Sequence, residues 1–456
     1  MKRKRIFLWV SIGIPILLIF LFLIRVGFAV TRPEFYVALG RQFHNGKKIE
    51  KNDAVAFWLF EKAAKRGNRA GQEWLGSCYR SGYGVPVNHE EAAKWFRKAA
   101  EQGSSWAQYR LGRCYLYGKG VPKDKNEAFL WFQKAANQGY GYAEYELAQC
   151  YFRGTGVEKD VARAIHWLQF AAEKNVPPAQ YALGAAYEKG YGVSKDPLQA
   201  LHWFRKAADR DYSKAQWMLG KYYAQGKYIK KDYERAVSWY QKAAEQDYSR
   251  AQSSLAYCYY KGFGTNQNYS LAAKWYRKAA EQGYASAQHD LGLCFQKGRG
   301  VDQNYAEAFS WFQKAAEQDH VKAQTKLGWM YSYGFGVEKN YSEAITWYEK
   351  AIKQRSSRGL NSYAWFLATF PEETVRDGNR AVDLATEAVN KDPENCAFLD
   401  TLAAAYAETG QFDLAVETQK KAIALLKNPS EEKLADYRSR LESYEKNLPW
   451  RDLQTD

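Results

Sequence analysis

Residues 107–140 read AQYRLGRCYLYGKGVPKDKNEAFLWFQKAANQGY, and the spacing inside this stretch decides the fold. Ala107, Leu111 and Tyr115 fall at i, i+4 and i+8, the stripe of a first amphipathic helix. Gly118-Lys119-Gly120-Val121 ends it, with glycine at the positive-φ position that follows a helix end. Asp124 then stands as the N-cap of a second helix, and Glu127 three residues on completes the pattern of a capping box. Ala128, Trp131, Ala135 and Ala136 form the apolar face of that helix. Small alanines let neighbouring helices approach, and tryptophan is expected to fill the groove between them.

The same spacing recurs every 36 residues. Ala-Ala stands at 63, 99, 135, 171, 207, 243, 279 and 315, and becomes Ala351-Ile352. Trp stands at 95, 131, 167, 203, 239, 275, 311 and 347. Leu39, Leu75, Leu111 and six further leucines to Leu327 keep the step. The cap position holds only Asn or Asp: Asn52, Asn88, Asp124, Asp160, Asp196, Asp232, Asn268, Asn304 and Asn340. Pro197, after Asp196, is the favoured first residue of a helix. Nine units run from about residue 34 to 354 without an insertion, and such a period is the signature of a solenoid.

Units such as 107–140 resemble Sel-1-like repeats, relatives of the tetratricopeptide repeat, over roughly 320 of the 456 residues. The resemblance implies an all-α, right-handed α-solenoid of antiparallel helix pairs that serves as an adaptor or scaffold, with no shared catalytic residues. The register breaks after Lys353. Segments 361–373 and 396–425 resemble tetratricopeptide repeats instead, with Leu402, Tyr406, Gly410, Ala415 and Ala422 at that repeat's packing spacing. The expected organisation is a basic tail and membrane anchor (1–30), nine repeats (34–354), tetratricopeptide-like repeats (358–428), and a capping helix with polar tail (429–456). Leu434, Tyr437, Leu441 and Tyr444 mark that cap, since a terminal repeat needs a polar outer face.

Lys2, Arg3, Lys4 and Arg5 precede an unbroken apolar run from Ile6 to Ile24, long enough to cross about 30 Å of hydrocarbon as a helix. Basic residues favour the cytoplasmic side, which places the body outside the cytoplasmic membrane, and in the periplasm of a Gram-negative cell. Gly27-Phe28-Ala29 offers the alternative of a cleaved signal, but Arg25 and the length of the run favour a retained, single-pass signal anchor. Charge is uneven. Residues 1–32 carry six basic and no acidic side chains, and residues 360–456 carry 11 basic and 18 acidic, so of the net +16 the stretch between holds +17. A basic body suits an anionic partner or surface.

Catalytic and cofactor chemistry finds little material. Cys78, Cys114, Cys150, Cys258 and Cys294 share one repeat position, filled elsewhere by Ala186, Tyr222 and Met330, which marks a packing site with buried, free thiols. The G-x-G-V loops close helices, whereas phosphate loops open them. His166 and His202 share a position one residue before the repeated Trp, but no third or fourth metal ligand is evident. Six histidines give no Ser-His-Asp or Cys-His set, so neither enzyme activity, cofactor, metal nor nucleic acid is expected.

In tetratricopeptide-type stacks the first helix of each pair lines the concave face, and residues two before and two after the repeated leucine point into it. Through that resemblance the partner-binding candidates are Tyr109, Tyr145, Tyr181 and Trp217 before the leucine, and Arg113, Gln149, Lys221, Tyr257 and Trp329 after it. Aromatics beside Arg and Lys are favoured at binding hot spots. The competing reading has the tyrosines packing against the next repeat. Two functions compete likewise: a scaffold with a groove for a protein segment, or recognition of an anionic or glycan polymer such as peptidoglycan.

Overall fold

A computed structural model describes residues 32–46 and 49–452. The expected basic tail and anchor, including Ile6–Ile24, lie outside the described residues. Among these residues no helix is long and apolar enough to cross a membrane, and all the regular structure is helical. The chain divides into two compact units, Met1–Tyr212 and Ser213–Asp456.

Each unit is a run of short antiparallel helix pairs. In the first, a representative pair is Ser105–Tyr117 followed by Lys125–Asn137; in the second, Ser249–Lys261 followed by Tyr269–Glu281. The caps act as expected in all nine repeats. Asp124 Oδ1 accepts from the Glu127 backbone N–H at 3.0 Å, and the other eight Asn or Asp side chains accept equivalent bonds. The reciprocal half of the capping box does not form. The Asp124 N–H donates to the Tyr115 carbonyl, which closes the interhelical loop, and Glu127 accepts instead from Trp131 Nε1 at 3.1 Å.

Glycine is required at Gly120, in the loop between the two helices. Its φ is +76°, and a Cβ there would lie 1.9 Å from the His89 carbonyl oxygen at the start of the preceding repeat's second helix. The equivalent position in repeat 213–248 is Tyr228, which holds φ at +63° without that freedom.

The core departs from the expected pattern by one residue. Phe60, Phe96, Phe132, Leu168, Phe204, Tyr240, Tyr276, Phe312 and Tyr348, each directly after the Trp position, are the side chains buried between the helices. The tryptophans sit beside them at the edge: Trp131, Trp311 and Trp347 are buried, whereas Trp95, Trp167, Trp203, Trp239 and Trp275 are only half-buried. The reason is geometric. Phe132 lies four residues from Ala128 and from Ala136, on the midline of the alanine face, while Trp131 is turned about 100° away. Seven of these tryptophans carry the ammonium of the lysine three residues on, 3.8–4.6 Å from the ring centroid, as Lys134 does over Trp131.

A polar relay joins the repeats, and hydropathy gave no sign of it. Gln108 is buried; its Nε2 donates to the Ala100 carbonyl of the preceding repeat at 3.1 Å, and its Oε1 accepts from Gln138 at 2.7 Å. In the second unit Gln252, Gln288 and Gln324 do the same with Gln282, Gln318 and Gln354. Buried amides satisfied at both ends fix the register of one pair on the next.

Beyond the repeats, the second unit continues with two more helix pairs and a last helix, Glu431–Glu445. Tyr437 and Tyr444 are buried, and Asp400 Oδ1 accepts from Arg440 Nε at 2.9 Å and Gln419 Nε2 at 2.7 Å, which ties that helix down.

Candidate partner-binding surface

Consecutive first helices enclose a pocket that recurs at one repeat position. In the first unit it is floored by Phe96 and Cys114, walled by Arg80, Arg110, Arg113 and Tyr117, and closed by Lys119 of the loop, with a volume of about 190 Å³. In the second unit the same place is floored by Tyr240 and Cys258 and rimmed by Lys221, Tyr233, Tyr257 and Phe263, with a volume of about 420 Å³. Phe96 and Tyr240 are equivalent, as are Cys114 and Cys258, Arg113 and Tyr257, Lys119 and Phe263. The frame is constant while its lining changes from cationic to aromatic.

The candidate residues divide by their position relative to the leucine. Those before it pack at the joints. Tyr109 is only 6% exposed, its ring 5.3 Å from Tyr140 and 6.2 Å from Phe132. Tyr181 packs on Phe204 and Tyr212 at 5.5 and 5.6 Å. Trp217 meets Tyr248 at 6.0 Å and donates from Nε1 to Ser254 Oγ of the next repeat at 3.0 Å. Tyr145 is half-buried, and burial raises the pKa of its phenol. The ladder residues thus make packing contacts at the joints between repeats.

Of those after the leucine, Arg113, Lys221 and Tyr257 reach the pockets. Arg113 and Lys221 are lining residues, and Tyr257, 47% exposed, lies edge-on to Phe263 at 6.0 Å. Trp329 stacks on Phe335 at 4.7 Å and is half-buried. Sequence reading missed Arg80, Arg110, Lys119, Tyr233 and Phe263. A signal was present: the residue between the two loop glycines varies through Tyr83, Lys119, Thr155, Tyr191, Phe263, Arg299 and Phe335, as freely as the position two after the leucine.

The repeated cysteines are packing residues. All five are buried, and burial pushes the thiols of Cys78, Cys150 and Cys294 up to about 12 and that of Cys258 up to about 11. His166 and His202 lie edge-on to their own neighbours Trp167 and Trp203.

The Sel1 repeat pattern matches nine segments between residues 33 and 356. The chain belongs to the Sel1 repeat family. A solved structure similar to it is c5321, a protective antigen of uropathogenic Escherichia coli strains, at 28% identity over 91% of this chain and 92% of that one, with a TM-score of 0.66. A Sel1 repeat protein from Oxalobacter formigenes is 31% identical over 66% of this chain and 88% of that one, with a TM-score of 0.51. No curated protein matches. Sel1 and related repeats form solenoids that typically serve as protein-interaction scaffolds, presenting extended surfaces to protein partners.

Proposed function

We propose that the chain is a membrane-tethered scaffold that holds a protein partner along its first helices, on the outer side of the cytoplasmic membrane. One observation carries the binding face: a pocket of constant frame and variable lining recurs between consecutive first helices in both units. Residues that serve only packing, such as the caps and the Phe132 position, change little between repeats, whereas the pocket linings change in charge and shape. The tether rests on the Lys2–Arg5 cluster and the apolar run after it. The description of the E. coli relative as a protective antigen accords with an exported body.

A photo-cross-linking residue at Tyr257, compared with one at exposed Lys242 on the second-helix face, tests the binding face in cells. Discrete protein adducts at Tyr257 alone are expected; equal labelling at both, or none, overturns the reading. A phosphatase active only outside the cytoplasm, fused after residue 456, should be active and membrane-bound. An inactive fusion reverses the orientation, and soluble activity points to cleavage near Ala29.

The aromatic rim of the second unit's pocket favours a second reading, recognition of an envelope glycan, because exposed Tyr257 stands there beside the stacked pair Tyr233 and Phe263, and sugars pack on aromatic rings. Sedimentation of the chain with purified sacculi, lost on Tyr257→Ala, is the result that reading requires.

A further inference from the structure

Four cationic side chains converge on the first unit's pocket, and no acidic residue lines it. Arg80 and Lys119 are exposed at its mouth, while Arg110 and Arg113 are half-buried in its wall. None of the four makes an ion pair among the described residues. Arg110 lies against Trp106 and Tyr109, at 4.9 and 5.6 Å from the ring centroids, and its Nε is buried without a hydrogen-bond partner. Arg113 Nη1 donates to the Tyr109 hydroxyl at 3.2 Å, which holds its fork beside that of Arg110. Glu146 acts on Arg113 from the next repeat but is not a lining residue.

Like charges brought together and partly desolvated repel, and the arrangement is stabilised only when an anion enters. Burial, and then Arg80, hold the Arg110 guanidinium below its ordinary pKa, which reports that strain. The equivalent place in the second unit has lost this character: its lining mixes Lys221 and Arg250 with Asp290 and aromatic rings. The cationic lining is therefore a property of this pocket and not of the frame. Its volume of about 190 Å³ falls short of the roughly 300–1,000 Å³ that encloses a whole small molecule. It suits the head group of a longer ligand, and two planar guanidinium forks match a carboxylate or phosphoryl group.

We propose that the pocket between the first helices Arg69–Ser81 and Ser105–Tyr117 takes an anionic side chain, carboxylate or phosphoryl, from an acidic segment of a protein partner. The proposal rests on the scaffold reading and names the chemistry of the segment it holds.

Fluorescence anisotropy of the purified full chain with labelled hexaglutamate, a phosphoserine peptide of the same length, and hexaglutamine tests it. At least one anionic peptide should bind, with affinity falling as salt rises, and hexaglutamine should not. The double variant Arg80→Gln, Lys119→Gln should weaken that binding at least about tenfold, the size of effect expected of lost charge-assisted contacts in a partly desolvated pocket. Both side chains are exposed, so an unchanged melting temperature is expected. Lys242→Gln with Lys278→Gln, the matched loss of charge at exposed second-helix positions of the second unit, should change it less than about twofold, as expected of charges remote from the bound anion. Preference for the phosphoserine peptide identifies the anion as phosphoryl, and preference for hexaglutamate identifies it as carboxylate. Failure of both peptides to bind, or equal weakening by the two double variants, overturns the proposal. Adducts that persist at Tyr257 while both peptides fail would sink this pocket and leave the scaffold standing.

Discussion

Lys174 Nζ pairs with the buried carboxylate of Glu144 where the repeat before it joins Gln138 to Gln108. The ion pair stands in for the glutamine pair, and Lys174 also donates to the Gly139 carbonyl at 2.9 Å, so the same joint is held by a charged version of the same relay. Lys174→Ala should leave a buried carboxylate unpaired and cost about 3–5 kcal/mol. Glu144→Gln combined with Lys174→Gln should recover most of that. Chemical denaturation of the wild type, Glu144→Gln, Lys174→Gln and their combination measures the coupling; additive effects would show that the pair does not hold the joint.

The core position makes a second test. Phe132→Ala removes a fully buried ring and should cost about 3–5 kcal/mol. Trp203→Ala removes a half-buried ring under Lys206 and should cost less, about 1–2 kcal/mol. Thermal melts of both variants rank them. The reverse order would place tryptophan, after all, on the midline of the helix.

How much of this was legible follows from these residues. Asn and Asp caps announce themselves because a cap is a local event with one chemical solution, and all nine act as caps. Trp131 and Phe132 are adjacent and both apolar, so a period of 36 marks the pair without saying which one lies on the midline. Gln108 reads as a surface residue until the Ala100 carbonyl of the neighbouring repeat is brought to it. The pocket needed three segments, Arg80, Arg113 and Lys119, that only stacking makes neighbours. What depends on one helix was readable; what depends on two repeats was not.

The thiols set an alkaline limit. Burial raises the pKa of Cys78, Cys150 and Cys294 from 9.0 to about 12, and it raises those of Tyr240 and Tyr276 as well. Below pH 9 both folded and unfolded chains keep these protons. Above it the unfolded chain releases them and the folded chain does not, so stability is lost as pH rises from 9 towards 12. The melting temperature should fall steadily from pH 9. At pH 8 a thiol reagent should modify Cys396, which is partly exposed, and reach the other five only on denaturation. Fast native labelling of Cys114 would contradict the packing assignment.

An acid limit lies in the second unit. His320, whose ring is 5.0 Å from that of His289, has its pKa lowered from 6.5 to about 4 by burial and then by His289; Asp290 opposes this and Lys322 adds to it. The unfolded chain binds a proton below pH 6.5 while the folded one resists, so stability is lost as pH falls from 6.5 towards 4. These two residues replace the Tyr109 and Tyr140 of an earlier repeat, so His320→Tyr should flatten the melting temperature between pH 7 and 5. An equally steep decline in that variant would place the acid sensitivity elsewhere.

The relay that joins the repeats asks its neighbour for nothing but backbone. Gln108 takes the Ala100 carbonyl, Lys174 the Gly139 carbonyl, and Gly120 lies against the His89 carbonyl; the side chains that must match, Gln138 with Gln108 and Lys174 with Glu144, lie inside one repeat and travel together. A gene segment of 36 codons can therefore be duplicated, lost or reordered without breaking a side-chain pairing of this relay at the seam. The number of binding pockets is then free to drift by recombination, and each new copy can acquire its own lining by point mutation.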